Sequence, residues 1–404
     1  MDAIPVAEAL ARILSSVAEP VGSEVSEIGR AAGRTLATDL AAHRDQPPFS
    51  ASAMDGYAVR AADLVLLPRA LRVVGTSAAG RGFPGKVHEG EAVRIFTGAP
   101  VPEGADTVVI QEDADLLDGL VTLREGGPLG RHVRPAGLDF RAGETLLRAG
   151  ARLDARRLAL AAAMGHGKVQ VRRRPRVAIL ATGDELVRPG EELGQDQIVA
   201  SNPSALQAIV ERAGGEPLDL GIAQDTFADL ARCISEAKGL EADLLVTLGG
   251  ASVGDHDLVQ SALARDGMEL GFWRVALRPG KPLMHGRLGR MVLIGLPGNP
   301  VSSIVCAILF VAPAIRALLG DQHAGDDPSE AAVLGTDLAP NDARQDYLRA
   351  TLRRVSDGRF EASPHPRQDS SMLAVLAASE ALIVRPPHAA AAAGEPCRII
   401  RLDR

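Results

Sequence analysis

The sequence predicts a multidomain α/β plus β protein with a central parallel-sheet α/β domain. Its 404 residues suggest two to four domains at about 150 residues each. Within residues 175–320, short apolar runs alternate with amphipathic segments, the pattern of a parallel sheet covered by helices. On either side of this stretch, brief apolar runs separated by Gly and Pro predict smaller units, mostly β.

The N-terminal part divides into a mixed unit and a β-rich unit. Apolar residues at helical spacing predict a helix over 5–17, and residues 154–164 are typical of a capped helix. Short apolar runs between residues 71 and 123 predict strands. We therefore assign a discontinuous N-terminal mixed domain to 1–49 with 138–174, and a β-rich domain to 50–137.

The α/β domain is assigned to residues 175–320. Its strand-like runs are RVAIL, LDLGI, DLLVTL and MVLIG, and helices are predicted over 202–213, 226–238, 257–264 and from Pro300 onward. The polar stretch 320–329 predicts a linker, and residues 330–404 are assigned to a small C-terminal β domain.

Composition argues against several classes of protein. Aromatic residues make up 3% of the chain and the net charge is −7, so we expect no nucleic-acid partner. Cys233, Cys306 and Cys397 form no CxxC pair, which favours a reducing, cytoplasmic location over a disulfide framework. The most apolar run, 304–315, is too short to span a bilayer and contains Pro313, so we expect a buried helix and no membrane contact.

Loops rich in Gly and carboxylates follow the predicted strands of the α/β domain. Ligands bind beyond the carboxyl ends of parallel strands, so these loops should meet at one crevice. Glycine N–H groups suit a phosphate and carboxylates suit Mg²⁺, although each loop alone is equally explained by ordinary turns and caps. The loops contain Asp184 and Glu185, Asp225, residues 249–254, Asp255, Asp257, and Pro297, Asn299 and Pro300.

Two further loops carry polar groups on stiff backbone. Arg278 and Lys281 lie in the segment RPGKP. The planar guanidinium of arginine and the compact ammonium of lysine both suit an oxyanion. The alternative is that RPGKP is an ordinary solvated loop. In PGNP, Asn299 is expected to cap the helix that begins at Pro300.

A serine hydrolase is a second hypothesis. Residues 250–254 match the G-x-S-x-G nucleophile elbow, with Ser252 between a predicted strand and a predicted helix. Its partners would have to be Asp321 with His323 or His365, which lie in the predicted linker and C-terminal domain. Matches this short often arise by chance, so this hypothesis ranks below anion binding.

Six motifs in order closely resemble the MoeA-type molybdopterin molybdenumtransferases, the family that includes the E domain of gephyrin. They are PPFSASAMDGYAVR, TGAPVPEGADTVVIQE, ATGDEL, LGGASVGDHD, RPGKP and GLPGNPVS. The resemblance implies an elongated four-domain homodimer. In it the α/β domain binds molybdopterin, the C-terminal domain is a small β-barrel-like unit, and the segment around Asp55 reaches the partner's crevice.

The resemblance also implies a reaction. Adenylylated molybdopterin and molybdate are the substrates, molybdate is inserted at the dithiolene, and AMP and molybdenum cofactor are released, with Mg²⁺ required. It leaves open whether the chain contacts the molybdopterin adenylyltransferase and the recipient molybdoenzymes. A third hypothesis is a non-catalytic pterin-binding scaffold, because family relatives also serve as anchoring proteins.

The family's functional residues match particular positions of this chain. Catalytic roles fall on Asp55, Asp139, Glu185, Asp225 and Asp257, of which Glu185, Asp225 and Asp257 would hold Mg²⁺, with Asp225 matched less securely. Substrate-binding roles of the family fall on Lys281, Pro297 and Pro300. To the same binding site we also assign Thr97, Gly249, Gly250, Ser252, Gly254, Arg278 and Asn299. Arg278 stands where the family often has Lys, and Ala251 replaces a usually larger residue. The retained carboxylates favour the enzyme over the scaffold.

Overall fold

Three six-stranded sheets organise the residues that this computed structural model describes, 3–250, 258–356 and 358–402. One sheet lies in the β-rich part, one in the α/β part and one in the C-terminal part. Short two-stranded sheets join segments that are far apart in the sequence.

The mixed N-terminal region is built from two segments of the chain that lie before and after the β-rich region. Strand Ser23–Glu27 pairs antiparallel with Lys168–Arg172, and Leu40–Ala41 pairs with Thr145–Leu147. Helix Ala155–Ala163 follows Asp154, whose carboxylate accepts a hydrogen bond from the Arg157 amide at 2.9 Å, as predicted for its cap. The shared core includes Leu36, Leu153, Met164 and Val171.

The first helix, Val6–Ser16, belongs to a different core. Its buried residues Ala9 and Ile13 pack with the apolar cluster of the α/β region, not with that of the mixed region. The Ile4 amide also donates to the Arg274 carbonyl oxygen at 3.1 Å. The N-terminus is therefore fastened to the α/β region through packing and a backbone bridge.

The β-rich region is one mixed sheet with apolar side chains on both faces. Tyr57 and Val59 face one cluster and Ala58 the other, as alternation along a strand requires. A Cβ at Gly56 would collide with the Val109 carbonyl oxygen, so only glycine fits beside Asp55. In sheet order the strands are Thr107–Ile110, Gly56–Val59, Glu91–Ile95, Arg69–Ser77, Leu120–Leu123 and Ala114–Leu117, and Ala51–Ser52 pairs separately with Val133–Arg134.

The α/β region confirms the predicted parallel strands and adds a hairpin that the sequence did not predict. The parallel strands, in sheet order, are Glu216–Ala223, Arg176–Thr182, Leu244–Leu248 and Met291–Leu296. Strands Pro282–Leu288 and Glu269–Arg274 continue the sheet antiparallel. The segment RPGKP interrupts this hairpin, which hid its alternating pattern.

Helices cover both faces of this sheet and enclose two apolar clusters. The Thr226 hydroxyl caps one helix by accepting from the Asp229 amide at 3.2 Å, and Gly214 ends another in the left-handed conformation at φ 99°. The helices are Asn202–Ala213, Phe227–Gly239, Leu258–Arg265 and Pro300–Leu318.

The long helix Pro300–Leu318 is the expected core helix. Among the described residues it is the one helix long and apolar enough to cross a membrane, yet 61% of its most apolar window is buried in the protein. Val305, Phe310 and Ile315 pack in the α/β core. A π-helical turn, Ala307–Val311, precedes Pro313, which has no N–H for the helical ladder.

The C-terminal region is a closed five-stranded barrel, as the resemblance implied. Each strand pairs with two others in a cycle, which leaves no free edge inside the barrel. Leu348, Ala350, Ile383 and Ile399 fill its interior. The strands are Glu330–Leu334, Gln345–Arg354, Phe360–Pro364, Ala381–Arg385 and Pro396–Arg401, and helix Leu373–Ala377 connects two of them.

Replacing the buried ring of Phe310 should destabilise the α/β core. Phe310 is fully buried in the long helix, so Phe310→Ala should cost about 3–5 kcal/mol through lost burial and the cavity left behind. Thermal unfolding should show a lowered melting temperature for this variant. The control Phe49→Ala removes a ring that is 42% exposed and should change the melting temperature little. Equal shifts for the two variants would contradict this account of the core.

Candidate functional site

A crevice of about 770 Å³ lies beyond the carboxyl ends of the parallel strands. The loops after strands Arg176–Thr182, Glu216–Ala223, Leu244–Leu248 and Met291–Leu296 all contribute to its wall. Seven of the residues singled out in the sequence line it: Glu185, Asp225, Gly249, Gly250, Pro297, Asn299 and Pro300. Segments that the sequence did not single out also line it, among them 198–203, Leu258, Val259 and Ser371, and so does Pro282 of the RPGKP segment.

Glycine brings the loops of the crevice into backbone contact. At Gly249, φ is 95° and a Cβ would lie 2.8 Å from the Thr182 carbonyl oxygen. A Cβ built on Gly298 would lie 3.8 Å from the Gly249 Cα atom, so the PGNP loop packs on the glycine loop. A larger residue at position 249 would push the neighbouring loop away and open the crevice floor.

Side chains outside the PGNP loop hold its carbonyl groups. The Ser303 hydroxyl donates to the Pro297 carbonyl oxygen at 2.6 Å, and the Asn202 amide donates to the Gly298 carbonyl oxygen at 2.8 Å. Asn202 also donates to the Ser303 hydroxyl at 3.2 Å, which joins two helices to the same loop. The loop is therefore fixed by hydrogen bonds as well as by its prolines.

The expected capping bond from Asn299 is not formed. Asn299 occupies the cap position and Pro300 follows it, but the Asn299 side chain makes no capping hydrogen bond. One amide that it could have capped is already used, because the Val301 N–H donates to the Ser370 carbonyl oxygen at 3.0 Å. The prediction was wrong for the side chain, which lines the crevice instead.

Negative charge gathers at one wall of the crevice. Partial desolvation and the charges of Asp184 and Glu185 raise the pKa of the Asp225 carboxyl. The Asp225 amide donates to the Asp184 carboxylate at 3.1 Å, which holds the two loops together. These groups are hard oxygen donors that repel one another, so a cation bound here would stabilise their ionised forms.

The fit of this wall to Mg²⁺ rests on two lining carboxylates, Glu185 and Asp225. Within 3–250, 258–356 and 358–402, no group of three or more His, Cys, Asp or Glu side chains is arranged to hold a metal ion. Proteins often bind Mg²⁺ through one or two carboxylates, with substrate phosphates and water completing the shell. The donor chemistry fits such a shared site, and Asp257 lies outside the described residues.

The two cations of RPGKP do not line this crevice, although the adjoining Pro282 does. Lys281 is exposed. The Arg278 side chain is 49% exposed, and its Nε lies 3.3 Å from the Asp346 Oδ1 atom of the barrel. Both cations therefore belong to the neighbourhood of the crevice, beside the junction with the C-terminal barrel.

The C-terminal barrel contributes residues that sequence reasoning missed. Ser371 lines the crevice, and its amide and hydroxyl donate to the Asp369 carboxylate at 2.8 and 2.6 Å. Arg349 is almost fully buried and donates to the Asp369 carbonyl oxygen at 2.7 Å. An arginine inside the apolar run YLRATL was the available signal for this polar cluster. No local pattern indicated that Ser371 would reach a loop at residue 297.

The predicted residues of the N-terminal half lie on other surfaces of the same chain. Asp55 accepts hydrogen bonds from the Thr97 amide at 2.7 Å and the Thr97 hydroxyl at 2.8 Å, which lower the pKa of the Asp55 carboxyl. The Arg94 guanidinium lies over the rings of Tyr57 and Phe96 and adds favourable charge. None of Asp55, Thr97 and Asp139 lines the crevice, and Asp139 is exposed.

The remaining predicted residues, Ser252, Gly254 and Asp257, lie outside the described part of the chain. The hydrolase hypothesis gains no support from its proposed partners. Asp321 pairs with Arg316 at 2.8 Å, and His323 pairs with Asp326 at 2.8 Å. Neither of them, nor His365, lines the crevice.

Comparison with known proteins gives the same family along the whole chain. The model described as "MoeA N-terminal region (domain I and II)" matches residues 4–165, "Probable molybdopterin binding domain" matches 178–317, and "MoeA C-terminal region (domain IV)" matches 331–402. A molybdopterin molybdenumtransferase from Haemophilus influenzae is 35% identical, and the alignment covers 93% of each chain. The chain belongs to the MoeA-type molybdopterin molybdenumtransferases.

Further relatives agree with this membership. A molybdopterin molybdenumtransferase from Nostoc is 39% identical over 90% of this chain and 85% of its own length. A crystal structure of the molybdopterin biosynthesis MoeA protein from Pyrococcus horikoshii superposes with a TM-score of 0.84 at 28% identity, covering 98% and 99% of the two chains. The fold prediction is confirmed, and membership assigns this MoeA-type chain to the enzymes of molybdenum cofactor biosynthesis.

The raised pKa of Asp225 predicts a stabilising substitution. A carboxyl whose folded pKa is raised adds stability below its unfolded pKa, and this stability is lost as the pH rises through the folded pKa. Asp225→Asn should therefore raise the melting temperature of the cation-free protein at neutral pH, and the difference should vanish in acid. Differential scanning calorimetry with a chelator between about pH 4 and 8 measures this.

Asp229, in the first turn of the helix that follows Asp225, supplies a control of opposite sign. Hydrogen bonds from the Gln224 amide and Arg232 lower its pKa, so its stabilisation is present at neutral pH and is lost as the pH falls. Asp229→Asn should lower the neutral melting temperature. A lowered melting temperature in both variants would contradict the charge crowding inferred at Asp225.

The hydroxyl of Thr97 should control the ionisation of Asp55. Thr97→Val removes the hydroxyl hydrogen bond and leaves the backbone one, so the pKa of Asp55 should rise but stay below its usual value. An NMR titration of the Asp55 carboxyl measures this shift. Thr122→Val, on another strand of the same sheet, should leave it unchanged. An unshifted Asp55 in Thr97→Val would show that the hydroxyl contributes nothing.

Proposed function

We propose that the protein inserts molybdate into adenylylated molybdopterin and releases AMP and molybdenum cofactor in a Mg²⁺-dependent reaction. The observation that carries this proposal is the crevice, in which glycine loops, two carboxylates and the PGNP loop meet in a chain of this family. Its substrate would carry a phosphoanhydride, which needs both backbone donors and charge neutralisation. The crevice offers each of these on a different loop.

The glycine loops would hold the phosphates of the substrate. Gly249 and Gly250 both have positive φ and lack a side chain, so an anion can approach their backbone closely. Asn299 adds a side-chain amide that is not used for capping. These groups recognise an extended anionic ligand without requiring a positive charge on the crevice floor.

The acidic wall would bind the cation. Glu185 and Asp225, with Asp257, would hold Mg²⁺ together with phosphate oxygens. When bound, Mg²⁺ would neutralise charge on the phosphoanhydride during cleavage of the adenylate. Because the pKa of Asp225 is raised, this side chain loses its charge at a higher pH than an ordinary aspartate, and cation affinity should fall with it.

Molybdate would approach from the side of the barrel. It is a tetrahedral dianion, and Lys281 and Arg278 supply positive charge on the loop whose Pro282 lines the crevice. This leaves the acidic wall for the cation and the adenylate. The pterin nucleotide would thus be bound through the cation on the acidic wall, and molybdate by the cationic side chains on the other side of the crevice.

We infer that the active unit is a homodimer in which one chain completes the crevice of the other. Asp55 and Asp139 match functional positions of the family but do not line the crevice of their own chain. A second copy would supply them, because one closed pair of chains gives two equivalent shared sites. Cytoplasmic location, and contacts with the adenylyltransferase and recipient molybdoenzymes, are expectations that follow from the same resemblance.

The reaction is tested directly with the purified protein, adenylylated molybdopterin, molybdate and Mg²⁺. We expect release of AMP together with cofactor that activates an apo-molybdoenzyme, and a chelator should abolish both. A protein that binds the pterin nucleotide but never releases AMP would be a scaffold. Labelling by a fluorophosphonate that is lost in Ser252→Ala would favour the hydrolase instead.

The shared site predicts complementation between two inactive variants. Asp55→Ala and Asp225→Ala should each be inactive as homodimers, whereas a mixed dimer keeps one site with both carboxylates intact. Random reassociation of equal amounts should recover about one quarter of the wild-type rate of AMP release, since half of the dimers then carry one good site of two.

A pair of variants in the same wall provides the control. Glu185 and Asp225 line the crevice of their own chain. When Asp225→Ala is mixed with Glu185→Ala, every crevice therefore lacks one carboxylate, and no activity should return. If the mixture of Asp55→Ala and Asp225→Ala recovered no AMP release, a second chain would not be the source of Asp55.

A further inference from the structure

A fully buried carboxylate joins the C-terminal barrel to the RPGKP loop (residues 278–282). Asp346 lies on strand Gln345–Arg354 and is 0% exposed. The short strand Leu277–Arg278 pairs in parallel with this strand, and the register places Arg278 beside Asp346. The contact is therefore fixed by backbone pairing between the α/β region and the barrel.

Asp346 is surrounded by cations but not saturated by hydrogen bonds. Its Oδ1 lies 3.3 Å from the Arg278 Nε, and its Oδ2 lies 3.6 Å from an Arg385 terminal nitrogen. Within 3–250, 258–356 and 358–402, neither oxygen has a hydrogen-bond partner. Arg385 is held in turn, because it donates to the carbonyl oxygens of Ala339 and Ala389 at 2.5 Å.

Stability alone does not account for such a group. A buried ion pair is often no more stable than apolar residues of the same volume, because both charges must leave water. Arg385 is anchored inside the barrel, whereas Arg278 is about half exposed on the loop whose Pro282 lines the crevice. The contact to Arg278 uses Nε, so the two terminal nitrogens stay available for an anion.

We propose that Asp346 is a positioning residue that directs the Arg278 guanidinium toward molybdate. Arg385 fixes the carboxylate from one side, and the carboxylate fixes the stem of Arg278 from the other. Ordering the side chain in advance lowers the entropy lost when the oxyanion binds. This inference rests on the proposed function, because it takes Arg278 as part of the molybdate site.

A double-mutant cycle in the full-length protein tests the role of Asp346. The molybdate concentration that gives half-maximal cofactor formation is measured for the wild type, Asp346→Asn, Arg278→Ala and the double variant. Asp346→Asn should raise this concentration about tenfold, the loss typical of one weakened charge-assisted contact, with a much smaller change in the saturated rate. Once Arg278 is absent, Asp346→Asn should have no further effect on molybdate dependence.

Asp337 provides the matched control. It is an exposed aspartate in the loop before the same strand, and its carboxylate accepts a hydrogen bond from the Ala393 amide. Asp337→Asn should leave the molybdate dependence unchanged. The proposal would be overturned if Asp346→Asn left the half-saturating molybdate concentration unchanged. It would also be overturned if Asp346→Asn raised that concentration by the same factor with and without Arg278. A wild type that forms no cofactor would overturn the proposed function, and the role of Asp346 would fall with it.

A second variant covers the case in which Asp346→Asn fails to fold. Arg278→Lys changes a half-exposed side chain and keeps its charge, but lysine has no N–H at the position of the arginine Nε. It should raise the half-saturating molybdate concentration several-fold while the melting temperature stays near that of the wild type. Wild-type molybdate dependence in Arg278→Lys would overturn the proposal.

Discussion

Close backbone contact among three loops at the carboxyl edge of the parallel sheet is the constraint on which the crevice depends. The Gly249 amide donates to the Leu296 carbonyl oxygen at 3.1 Å, and Thr182 leaves no space for a side chain at residue 249. A Cβ on Gly298 would lie in van der Waals contact with the Gly249 Cα atom. The buried strands on either side hold these loops at sheet spacing. The acidic wall of the candidate site extends from these same loops, so its position depends on this contact.

The charges around the crevice follow the division between the α/β region and the barrel. Carboxylates belong to loops of the α/β region, where desolvation and, secondarily, the charges of Asp184 and Glu185 raise the pKa of Asp225. The cation Arg278 lies where the barrel meets RPGKP, and Ser371 of the C-terminal region lines the crevice. A ligand with phosphates at one end and an oxyanion acceptor at the other would satisfy both walls. In the proposed reaction the phosphates and molybdate would therefore lie on different sides of the crevice, which would reduce the repulsion between them.

Hydrophobic periodicity predicted most of the fold, because buried strands appear as short apolar runs and amphipathic helices as apolar residues at helical spacing. The helices at 202–213 and 226–238 and the parallel strands were found in this way. The antiparallel hairpin was missed because a Pro-Gly segment divides it, and the closure of the barrel depends on pairings between distant strands. Loop residues such as Glu185 and Gly249 were found because sheet topology says where they meet, whereas Ser371 enters from another region and has no local signature.

The barrel also decides how the helix that begins at Pro300 can serve an anion. A helix N-terminus usually offers several unpaired amides, which suit an anion. Here Pro300 has no N–H, and the Val301 amide already donates to the Ser370 carbonyl oxygen of the barrel segment. The helix end is thus used to dock the barrel, which brings Ser371 to the crevice wall. An oxyanion bound beside the PGNP loop would then depend mainly on side chains, so under the proposed function the orientation of Arg278 would matter more than the helix dipole.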